Sequence, residues 1–540
     1  MPKVHIEVEA KYEADAGFQV PDLVELFEPV LAHDGARHSD GTSWAEGDPA
    51  RERLRATYFD TAELDLAAAG LTLRRRTGGS DAGWHLKVPV ADRSRSEIRL
   101  PLGRGATRVP PRLVAMTYAL TEGRELVPVV QIETDRTVRR LVDRTGKVLV
   151  EVADDLVRAR HLHPSDASGE IPAATSWREI EVEVVDGPPG LLDAVDPSLR
   201  ARGLAPARSA SKLARALGRA PATRGARSRT TGKAARNGSR KAPSRKTARA
   251  GEIALAHVKA QVDDIRARDL PVRLDLPDSV HGMRVASRRL RGALTTFAPL
   301  FDPAVTGPVV GELKWLAGVL GAARDAEVMR LRVNAAVDEE RSDARLDGAV
   351  PGDVGGELDN AYRAAHREVL TQLDGQRYRA LLDALRALTE HPPFTDRAGR
   401  SARKVLPRLV AKSDARVRAT MRAAHRANDP VRREERLHSA RKAAKQARYS
   451  AESVAPVFGK DAREFALAME RVQESLGDHL DSLNTRARLH ELASHTSLPS
   501  TAFTYGRLHA LEDGHAERLR TLVDEAWAAA RKRHLRTWLR

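Results

Sequence analysis

Residues 5–12 read "HIEVEAKY", a stretch in which charged and apolar side chains alternate over the length of a strand. Successive side chains of a β-strand point to opposite faces, so Glu7, Glu9 and Lys11 share one face. Two carboxylates about 7 Å apart on that face repel each other by about 2 kcal/mol at an effective dielectric constant near 20. Either water at an exposed sheet edge or a cation in a polar interior must offset this repulsion, and the rest of the chain decides between them.

The composition is that of a globular protein with more than one domain. The chain has 540 residues, 41% hydrophobic and 30% charged, which is too long for a single core. It contains no cysteine, which excludes disulfides and thiolate metal sites and is typical of a reducing cytoplasm. Its N-terminus lacks an apolar signal core, and no run approaches roughly 18 apolar residues, so we expect neither secretion nor membrane insertion.

The net charge of +16 is concentrated in one segment. Residues 218–250 hold eleven Lys or Arg, no acidic residue, and many Gly, Ser, Thr and Pro. Such a composition cannot bury a core, so we interpret this segment as a disordered basic linker that could hold nucleic acid only non-specifically. Aromatic residues make up only 4% of the chain, which argues against base-stacking surfaces.

The part before the linker has the period of β-strands. Strands are predicted at 4–12, 53–60, 71–76, 83–89, 95–101, 129–140, 147–155 and 176–186. Eight strands are enough to close a barrel. Several are charged on one face and apolar on the other, so the charged faces would line a lumen if the apolar faces packed outward against helices. A solvated face of an open sheet is the alternative for any single strand.

The charged faces carry both signs. Glu179, Glu181 and Glu183 share a face, as do Arg74 with Arg76 and Arg95 with Glu97 and Arg99, and Lys87 lies opposite an apolar face. Carboxylates bind Mg²⁺ or Mn²⁺, whereas Arg and Lys bind phosphate oxygens. In the strand at 129–140, the alternation leaves open whether Arg136 or its neighbour Asp135 points inward.

An ordered set of motifs over residues 1–217 resembles the CYTH domain, the triphosphate tunnel metalloenzyme family. The motifs are "EVEAK" at 7–11, "YFDT" at 58–61, "LRRR" at 73–76, "HLKVP" at 85–89, "RSE" at 95–97, "EIEVE" at 179–183 and "SK" at 211–212. The resemblance implies an eight-stranded antiparallel tunnel that binds triphosphates with Mg²⁺ or Mn²⁺. The superfamily includes thiamine triphosphatases and adenylyl cyclases, and the fold alone does not choose among them.

The resemblance also implies roles for individual residues. Glu7, Glu9 and Lys11 would be catalytic. The metal-side carboxylates would be Glu7, Glu9, Asp154 and two of Glu179, Glu181 and Glu183. The phosphate ligands would be Lys11, Arg74, Arg76, Lys87, Arg136 and Lys212.

After the linker the period becomes helical, and a motif occurs twice. "HGMRVASRRLR" at 281–291 matches "HSARKAAKQARY" at 438–449, and "LGAARD" at 320–325 matches "LGDHLD" at 476–481. Offsets of 0, 3, 7 and 10 place one His and three cations of each copy on one helical stripe. The interpretation is an internal duplication, with either a polyanion groove or surface helices whose cations pair with acids such as Asp325 and Asp481.

Residues 251–540 resemble the CHAD domain, the conserved-histidine α-helical domain. The resemblance implies two pseudo-symmetric four-helix bundles with a basic surface that binds inorganic polyphosphate. The implied ligands are His281, Arg284, Arg288, Arg291, His438, Arg441, Lys445 and Arg448. The second copy has Gln446 where the first has Arg289, which weakens any claim that the two halves bind equally.

We therefore expect an α+β multidomain protein, a metal-dependent tripolyphosphatase joined to a polyphosphate-binding helical domain. It would act in the cytoplasm, in association with polyphosphate granules. The alternatives are a non-catalytic polyphosphate-binding or granule-associated protein, a nucleic-acid binder, and an adenylyl cyclase-like enzyme.

Overall fold

The computed structural model divides the chain into two compact units, Met1–Gly238 and Ser239–Arg540. It describes residues 4–31, 44–91, 94–103, 108–163, 171–188, 190–209, 211–218, 248–342, 353–495 and 499–540. The first unit is an antiparallel sheet with short helices and the second is helical, so the predicted fold class is confirmed. Most of the predicted linker, 219–247, lies outside the described residues.

The strands of the first unit form one antiparallel sheet. They are β1 (Val4–Glu13), β2 (Ala45–Glu46), β3 (Ala50–Asp60), β4 (Thr72–Thr77), β5 (Gly83–Ala91), β6 (Ser94–Leu100), β7 (Val127–Val142), β8 (Val148–His161), β9 (Thr175–Val184) and β10 (Ala205–Pro206). The long strands pair in the order β1-β6-β5-β4-β3-β7-β8-β9. Because β1 also pairs with β9, this order closes on itself and encloses a lumen.

Short helices cover the outside of the ring. They are α1 (Leu23–Leu31), α2 (Asp65–Ala68), α3 (Pro111–Thr121), α4 (Leu191–Ala201) and α5 (Lys212–Ala216). The apolar faces of β1, β8 and β9 pack against α1 and α4, as in the contact cluster of Tyr12, Val152 and Ile180 with Phe27 and Val195. Burying these faces outward leaves the alternate, charged faces pointing into the lumen.

Helix α5 is fixed at one end of the ring by three kinds of contact. Ser211 Oγ caps it by accepting a hydrogen bond from the backbone N–H of Ala214 at 3.1 Å. Leu213 packs in a cluster with Val157. His161 Nε2 donates to the backbone carbonyl of Ala216 at 2.9 Å. These contacts hold the intervening Lys212 in a buried position.

The second unit consists of long helices, most of which pack against the next helix along the chain. They are α6 (Ala250–Arg273), α7 (Ser279–Thr296), α8 (Pro303–Ser342), α9 (Asp353–Asp374), α10 (Gln376–Glu390), α11 (Ala402–Arg426), α12 (Pro430–Phe458), α13 (Lys460–His495) and α14 (Pro499–Ala530). Throughout the described residues, no helix is both long enough and apolar enough to cross a bilayer.

Helices α7 and α12, which carry the two copies of the His-Arg motif, cross each other directly. Gln446 Nε2 donates to the carbonyl of Gly292 at 2.7 Å and to Thr296 Oγ1 at 2.6 Å. Thr296 Oγ1 also lies 2.8 Å from Ser450 Oγ. A Cβ atom at position 292 would lie 2.9 Å from Gln446 Oε1, so glycine permits this close crossing. The crossing brings the two basic stripes together.

Candidate functional site

The lumen of the strand ring holds a polar cavity of about 270 Å³. Eight basic and six acidic side chains line it, so cations are in excess. The basic residues are Lys11, Arg74, Arg76, Lys87, Arg99, Arg136, Arg140 and Lys212, and the acidic residues are Glu9, Glu52, Asp81, Glu151, Glu181 and Glu183. A lumen of this composition suits an anion together with a cation.

Three carboxylates meet at one end of the lumen. Asp155, Glu179 and Glu181 offer oxygen atoms that all lie within 4.8 Å of one another, the spacing of a metal-binding group. Lys212 Nζ lies among them, at 2.8 Å from Asp155 Oδ2, 2.8 Å from Glu179 Oε1 and 2.7 Å from Glu181 Oε1. The ammonium group thus contacts every carboxylate that a metal ion at this position would need.

Two further cations complete the charge balance of this cluster. Arg136 forms a bidentate pair with Asp155 at 2.7 Å through both nitrogens, and its Nη2 contacts Glu181 Oε2 at 2.6 Å. Lys11 Nζ also contacts Glu181. Although burial opposes ionisation, Lys212 and Arg136 hold the pKa of Asp155 below its usual value, and Lys11, Lys212 and Arg136 do so for Glu181. Asp155 and Glu181 are therefore ionised, and the protein's own cations neutralise them.

Asp154 was predicted to face the lumen on the metal side, but the residue that does so is its neighbour Asp155. Asp154 lies on the outer face, where Arg178 holds it in a bidentate pair at 2.9 and 2.7 Å. Asp155 points inward, opposite Glu179 of β9 and Arg136 of β7. The same alternation settles the question left open in β7, because Asp135 pairs on the outside with Arg53 at 3.4 Å.

A second carboxylate row runs across three neighbouring strands. Glu183 of β9 lies opposite Glu9 of β1 on one side and opposite Glu151 of β8 on the other. All three line the cavity. Glu9 Oε2 accepts a hydrogen bond from Lys11 Nζ at 2.8 Å, and Glu151 Oε2 accepts one from Arg140 Nε at 2.9 Å. Carboxylate oxygens facing a polar cavity are a donor set that Mg²⁺ and Mn²⁺ prefer, although among the described residues the three carboxylates whose oxygens all lie within 4.8 Å of one another are Asp155, Glu179 and Glu181.

Glu7 occupies the next inward position of β1. Its backbone lies opposite Arg95 of β6, but the side chains of Glu7 and Arg95 are outside the part of the molecule that the structure describes. The assignment of Glu7 to catalysis and metal binding therefore stays a prediction.

Glu97 organises the opposite wall of the lumen. This carboxylate is fully buried and lies 3.9 Å from Arg74 Nη2 and 3.7 Å from Lys87 Nζ, and it contacts Arg99. His85 Nδ1 lies 2.8 Å from Glu97 Oε1. Burial would raise the pKa of Glu97, but the His85 hydrogen bond and the charges of Lys87 and Arg74 outweigh burial and hold it far below its usual range.

Arg76 extends this cationic wall. Its guanidinium contacts Asp81 at the edge of the cavity. Burial, together with the neighbouring charges of Arg74 and Arg136, lowers the pKa of Arg76 to about 9. A guanidinium that is disfavoured in this way gains stability when an anion enters the cavity, since the anion offsets both desolvation and repulsion.

The predicted lumen residues with described side chains thus meet around one cavity, apart from Asp154 and Glu179, which lies beneath Lys212. Glu97, Asp155, Asp81 and Glu151 were missed. Glu97 shares a strand face with Arg95 and Arg99, and an acid flanked by two cations at i±2 is the signal that could have identified it.

In the helical unit, the stripes of α7 and α12 form one basic cluster. Burial and the charges of Arg284, Arg291 and Arg441 lower the pKa of Arg288 to about 10. Burial and the charges of Arg288 and Arg441 lower the pKa of Lys445 to about 7. Side chains from both repeats therefore repel one another at close range, which is the electrostatic condition that a bound polyanion relieves.

The other predicted members of the cluster surround this centre. Burial lowers the pKa of Arg291, and burial with nearby cations lowers the pKa of His281 and His438. Arg448 differs, because Glu452 and Glu470 pair with it at 2.7 and 2.6 Å. Arg324, whose charge acts on His281, is an additional cation that the repeat comparison missed, because the second copy has Leu480 at that position.

Gln446, at which the second copy departs from the first, belongs to the helix crossing. Gln446 lies in the α7–α12 crossing and not on the basic stripe, as its hydrogen bonds to Gly292 and Thr296 show. Its counterpart Arg289 pairs with Glu452 at 3.1 Å, so the exchange of Arg289 for Gln446 removes no unpaired cation from the stripe.

Comparisons with known proteins agree with both units. Residues 30–216 match the family model of the CYTH domain, and residues 256–490 match that of the CHAD domain. A Mycobacterium tuberculosis protein described as uncharacterized is 35% identical over 97% of this chain and 96% of its own length. Among solved structures, PptA from Streptomyces chartreusis is similar over 52% of this chain and all of its own (21% identity, TM-score 0.43). The CHAD domain from the plant Ricinus communis is similar over 55% of this chain and 98% of its own (23% identity, TM-score 0.40).

The Lys212 cluster predicts a pH-dependent stability change. Replacing Lys212 by Met leaves three buried carboxylates with too little positive charge, which we expect to cost about 3–5 kcal/mol at pH 8. Without the Lys212 ammonium, burial is no longer fully offset and should raise the pKa of Asp155 and Glu181 above their unfolded values of 3.8 and 4.5, so the variant takes up protons and regains stability as the pH falls. The variant's deficit should therefore shrink towards pH 5, as calorimetric unfolding of the full chain would measure.

Lys147→Met is the matched control, because this lysine is 53% exposed and lies 3.7 Å from its acidic partner. It should unfold at the wild-type temperature at both pH values. A Lys212→Met variant with the same deficit at pH 5 and pH 8 would contradict the charge balance described for the cluster.

Proposed function

This chain belongs to the family of proteins in which a CYTH domain is followed by a CHAD domain, and we propose that it couples a metal-dependent triphosphatase to a polyphosphate-binding domain. The family places its activity on phosphate compounds. The proposed substrate is tripolyphosphate or a related short inorganic triphosphate, with Mg²⁺ or Mn²⁺ as cofactor. The proposed partner of the helical unit is inorganic polyphosphate.

The observation that carries the triphosphatase proposal is one cavity with two walls of opposite character. The row of Glu9, Glu183 and Glu151 lies on one side, and the cationic wall with Arg74 and Lys87 lies on the other. A divalent cation on the first wall and phosphate oxygens on the second would neutralise both at once.

Different residues of the cavity would bind the metal ion, hold the phosphate oxygens and orient the attacking water. A divalent cation held by Glu9, Glu183 and Glu151 would neutralise phosphate charge as a Lewis acid. Arg74, Arg76 and Lys87 would hold the phosphate oxygens and stabilise the charge that develops during the reaction. The row would also orient a water molecule for in-line attack on the terminal phosphorus, which breaks a P–O–P bond and yields orthophosphate and pyrophosphate.

The lysines at the carboxylate end have a positioning role in this scheme. Lys11 contacts both Glu9 and Glu181, so it links the row to the Lys212 cluster. Lys212 directs its three N–H groups at carboxylates, whereas Arg136 is held by carboxylates through Nε and Nη2 only and borders the cavity. A phosphate that enters the cavity would meet donors that are already oriented, which lowers the entropic cost of binding.

Two features favour an inorganic chain over a nucleotide. The cavity volume of about 270 Å³ is below the roughly 300–1,000 Å³ of sites for drug-sized ligands. Among the described residues that line it, Tyr58 is the sole aromatic side chain, so a base would find little stacking surface. An adenylyl cyclase-like activity would need both more room and such a surface.

The basic cluster of α7 and α12 supports polyphosphate binding by the helical unit. Its cations repel one another and lack enough acidic partners, as the lowered pKa values of Arg288 and Lys445 indicate. A phosphate chain carries about one charge per phosphate and would release counterions on binding, as nucleic acids do. The pairs of Arg284 with Asp325 and Arg441 with Asp481 compensate the cluster only in part.

Replacing Glu9 by Gln should abolish hydrolysis without affecting polyphosphate binding. The amide removes one negative charge from the row, so we expect metal-dependent phosphate release from tripolyphosphate to fall at least about a hundredfold. Release of orthophosphate by the full chain, with Mg²⁺, with Mn²⁺ and with EDTA, is the measurement.

Glu133→Gln is the control, because Glu133 lies on the outer face of β7 and pairs with Arg55 at 2.8 Å. It should retain wild-type release. Polyphosphate binding by a wild-type chain that releases no phosphate under any metal condition would refute the triphosphatase and favour a binding protein. Formation of cyclic AMP from ATP would instead favour a cyclase.

Polyphosphate affinity should depend on pH through Lys445. A bound polyanion stabilises the ammonium form and raises a pKa that is about 7 in the free protein. Binding above pH 7 must therefore take up a proton, and the Kd should rise with pH by at most about tenfold per unit. Fluorescence anisotropy with labelled polyphosphate at constant ionic strength, between pH 6.5 and 9, would measure this dependence.

Lys445→Arg separates this effect from other titrations. The guanidinium stays charged over the whole range, so the variant should show a flatter profile above pH 7 while still binding. Equal slopes for the wild type and the variant would show that Lys445 is not the titrating group.

A further inference from the structure

Each copy of the helical repeat contains a glycine and an aspartate that lie next to the motif arginine. They are Gly321 and Asp325 in α8, and Gly477 and Asp481 in α13. In both copies the aspartate follows the glycine by four residues, so the two lie on the same helix face one turn apart.

The guanidinium of the motif arginine lies against this face in both copies. Arg284 Nη1 contacts Asp325 Oδ1 at 3.1 Å, while a Cβ atom added to Gly321 would lie 3.5 Å from Arg284 Nη2. Arg441 contacts Asp481 through two nitrogens at 3.2 and 3.3 Å, while a Cβ atom added to Gly477 would lie only 2.8 Å from Arg441 Nη2. Each guanidinium thus packs on a glycine and pairs with the aspartate of the next turn. We call this glycine–aspartate pair the seat of the arginine.

The two seats are not equivalent. The Arg441 seat is closer and has two nitrogen contacts to a carboxylate that is 35% exposed. The Arg284 seat has one such contact, to a carboxylate that is 72% exposed. A side chain held by two contacts against a less exposed partner loses less conformational freedom when a ligand binds.

Each of these arginines also has a donor that its aspartate does not satisfy. The Nε atoms of Arg284 and Arg441 are buried, and neither has a hydrogen-bond partner among the described residues. A buried N–H group without a partner is costly, and a phosphate oxygen is a suitable acceptor for it.

We propose that Gly477 and Asp481 are positioning residues that make Arg441 the fixed anchor of the polyphosphate site, whereas Gly321 and Asp325 hold Arg284 more loosely. This inference rests on the proposed polyphosphate binding and adds that the two repeats contribute unequally. The inequality arises from how closely each arginine approaches its neighbouring helix, and Gln446 has no part in it.

The test compares one substitution at two equivalent positions. Gly477→Ala should displace the Arg441 guanidinium and weaken polyphosphate binding about tenfold, the effect of losing one charged hydrogen bond. Gly321→Ala adds the same methyl group at an ordinary contact distance and should change the Kd less than twofold. Gly318→Ala, with nothing within 4 Å, controls for the higher helix propensity of alanine.

A double-mutant cycle distinguishes positioning from a general structural effect. In an Arg441→Ala background, Gly477→Ala should cause no further loss of affinity, because the side chain that it displaces is absent. Fluorescence anisotropy with labelled polyphosphate on the full-length variants, with their melting temperatures, supplies the data.

The outcomes separate the two proposals. Wild-type binding that Gly477→Ala leaves unchanged, or reduces equally in the Arg441→Ala background, would overturn the positioning role and leave polyphosphate binding intact. Equal losses from Gly321→Ala and Gly477→Ala would overturn the inequality. A wild-type chain that does not bind polyphosphate would overturn the binding proposal and this inference with it.

Discussion

Ionised side chains inside a closed ring of strands lose their hydration, so every buried charge needs an opposite charge nearby. Lys212 meets this requirement where the demand is greatest, at the cluster of Asp155, Glu179 and Glu181. The short helix that carries Lys212 follows the last long strand and is fixed by packing, by capping and by His161. Because Lys212, Lys11 and Arg136 already balance this cluster, we propose the row of Glu9, Glu183 and Glu151 as the site of the divalent cation.

The helical unit shows the opposite electrostatic state. Its two basic stripes are brought together by the α7–α12 crossing, where Gly292 and Gln446 allow a close approach. Packing and hydrogen bonds at the crossing offset the repulsion among Arg288, Lys445 and their neighbours. Because this repulsion persists in the free protein, a bound polyanion would relieve it and gain affinity. The two units therefore differ in charge balance, because the carboxylate cluster of the first is neutralised internally and the basic cluster of the second retains positive charge.

Much of this arrangement could be predicted from the sequence because strand and helix periods place side chains on faces. The alternation in "HIEVEAKY" and "EIEVE" predicted charged lumen faces, and the repeated offsets predicted the basic stripes. Side-chain alternation cannot decide which of two adjacent residues of the same type faces the lumen. Either Asp154 or Asp155 could face inward, and only the pairing of β8 with β9 selects Asp155.

Contacts between segments that are distant in the sequence could not be predicted from strand and helix periods. Lys212 was predicted as a phosphate ligand, but its three carboxylate contacts depend on how α5 packs at one end of the ring. The role of Glu97 depends on three cations that β4, β5 and β6 bring together. For Gln446, aligning the repeats compared residue types without showing that position 446 faces another helix.

The division of the lumen into a neutralised cluster and a metal-binding row can be tested by locating Mn²⁺. Crystals of the full chain grown with Mn²⁺ and a non-hydrolysable tripolyphosphate analogue would show its position by anomalous scattering. We predict a peak beside Glu9, Glu183 and Glu151, with Lys212 still among Asp155, Glu179 and Glu181. A peak at the position of the Lys212 ammonium, with that side chain displaced, would contradict the account.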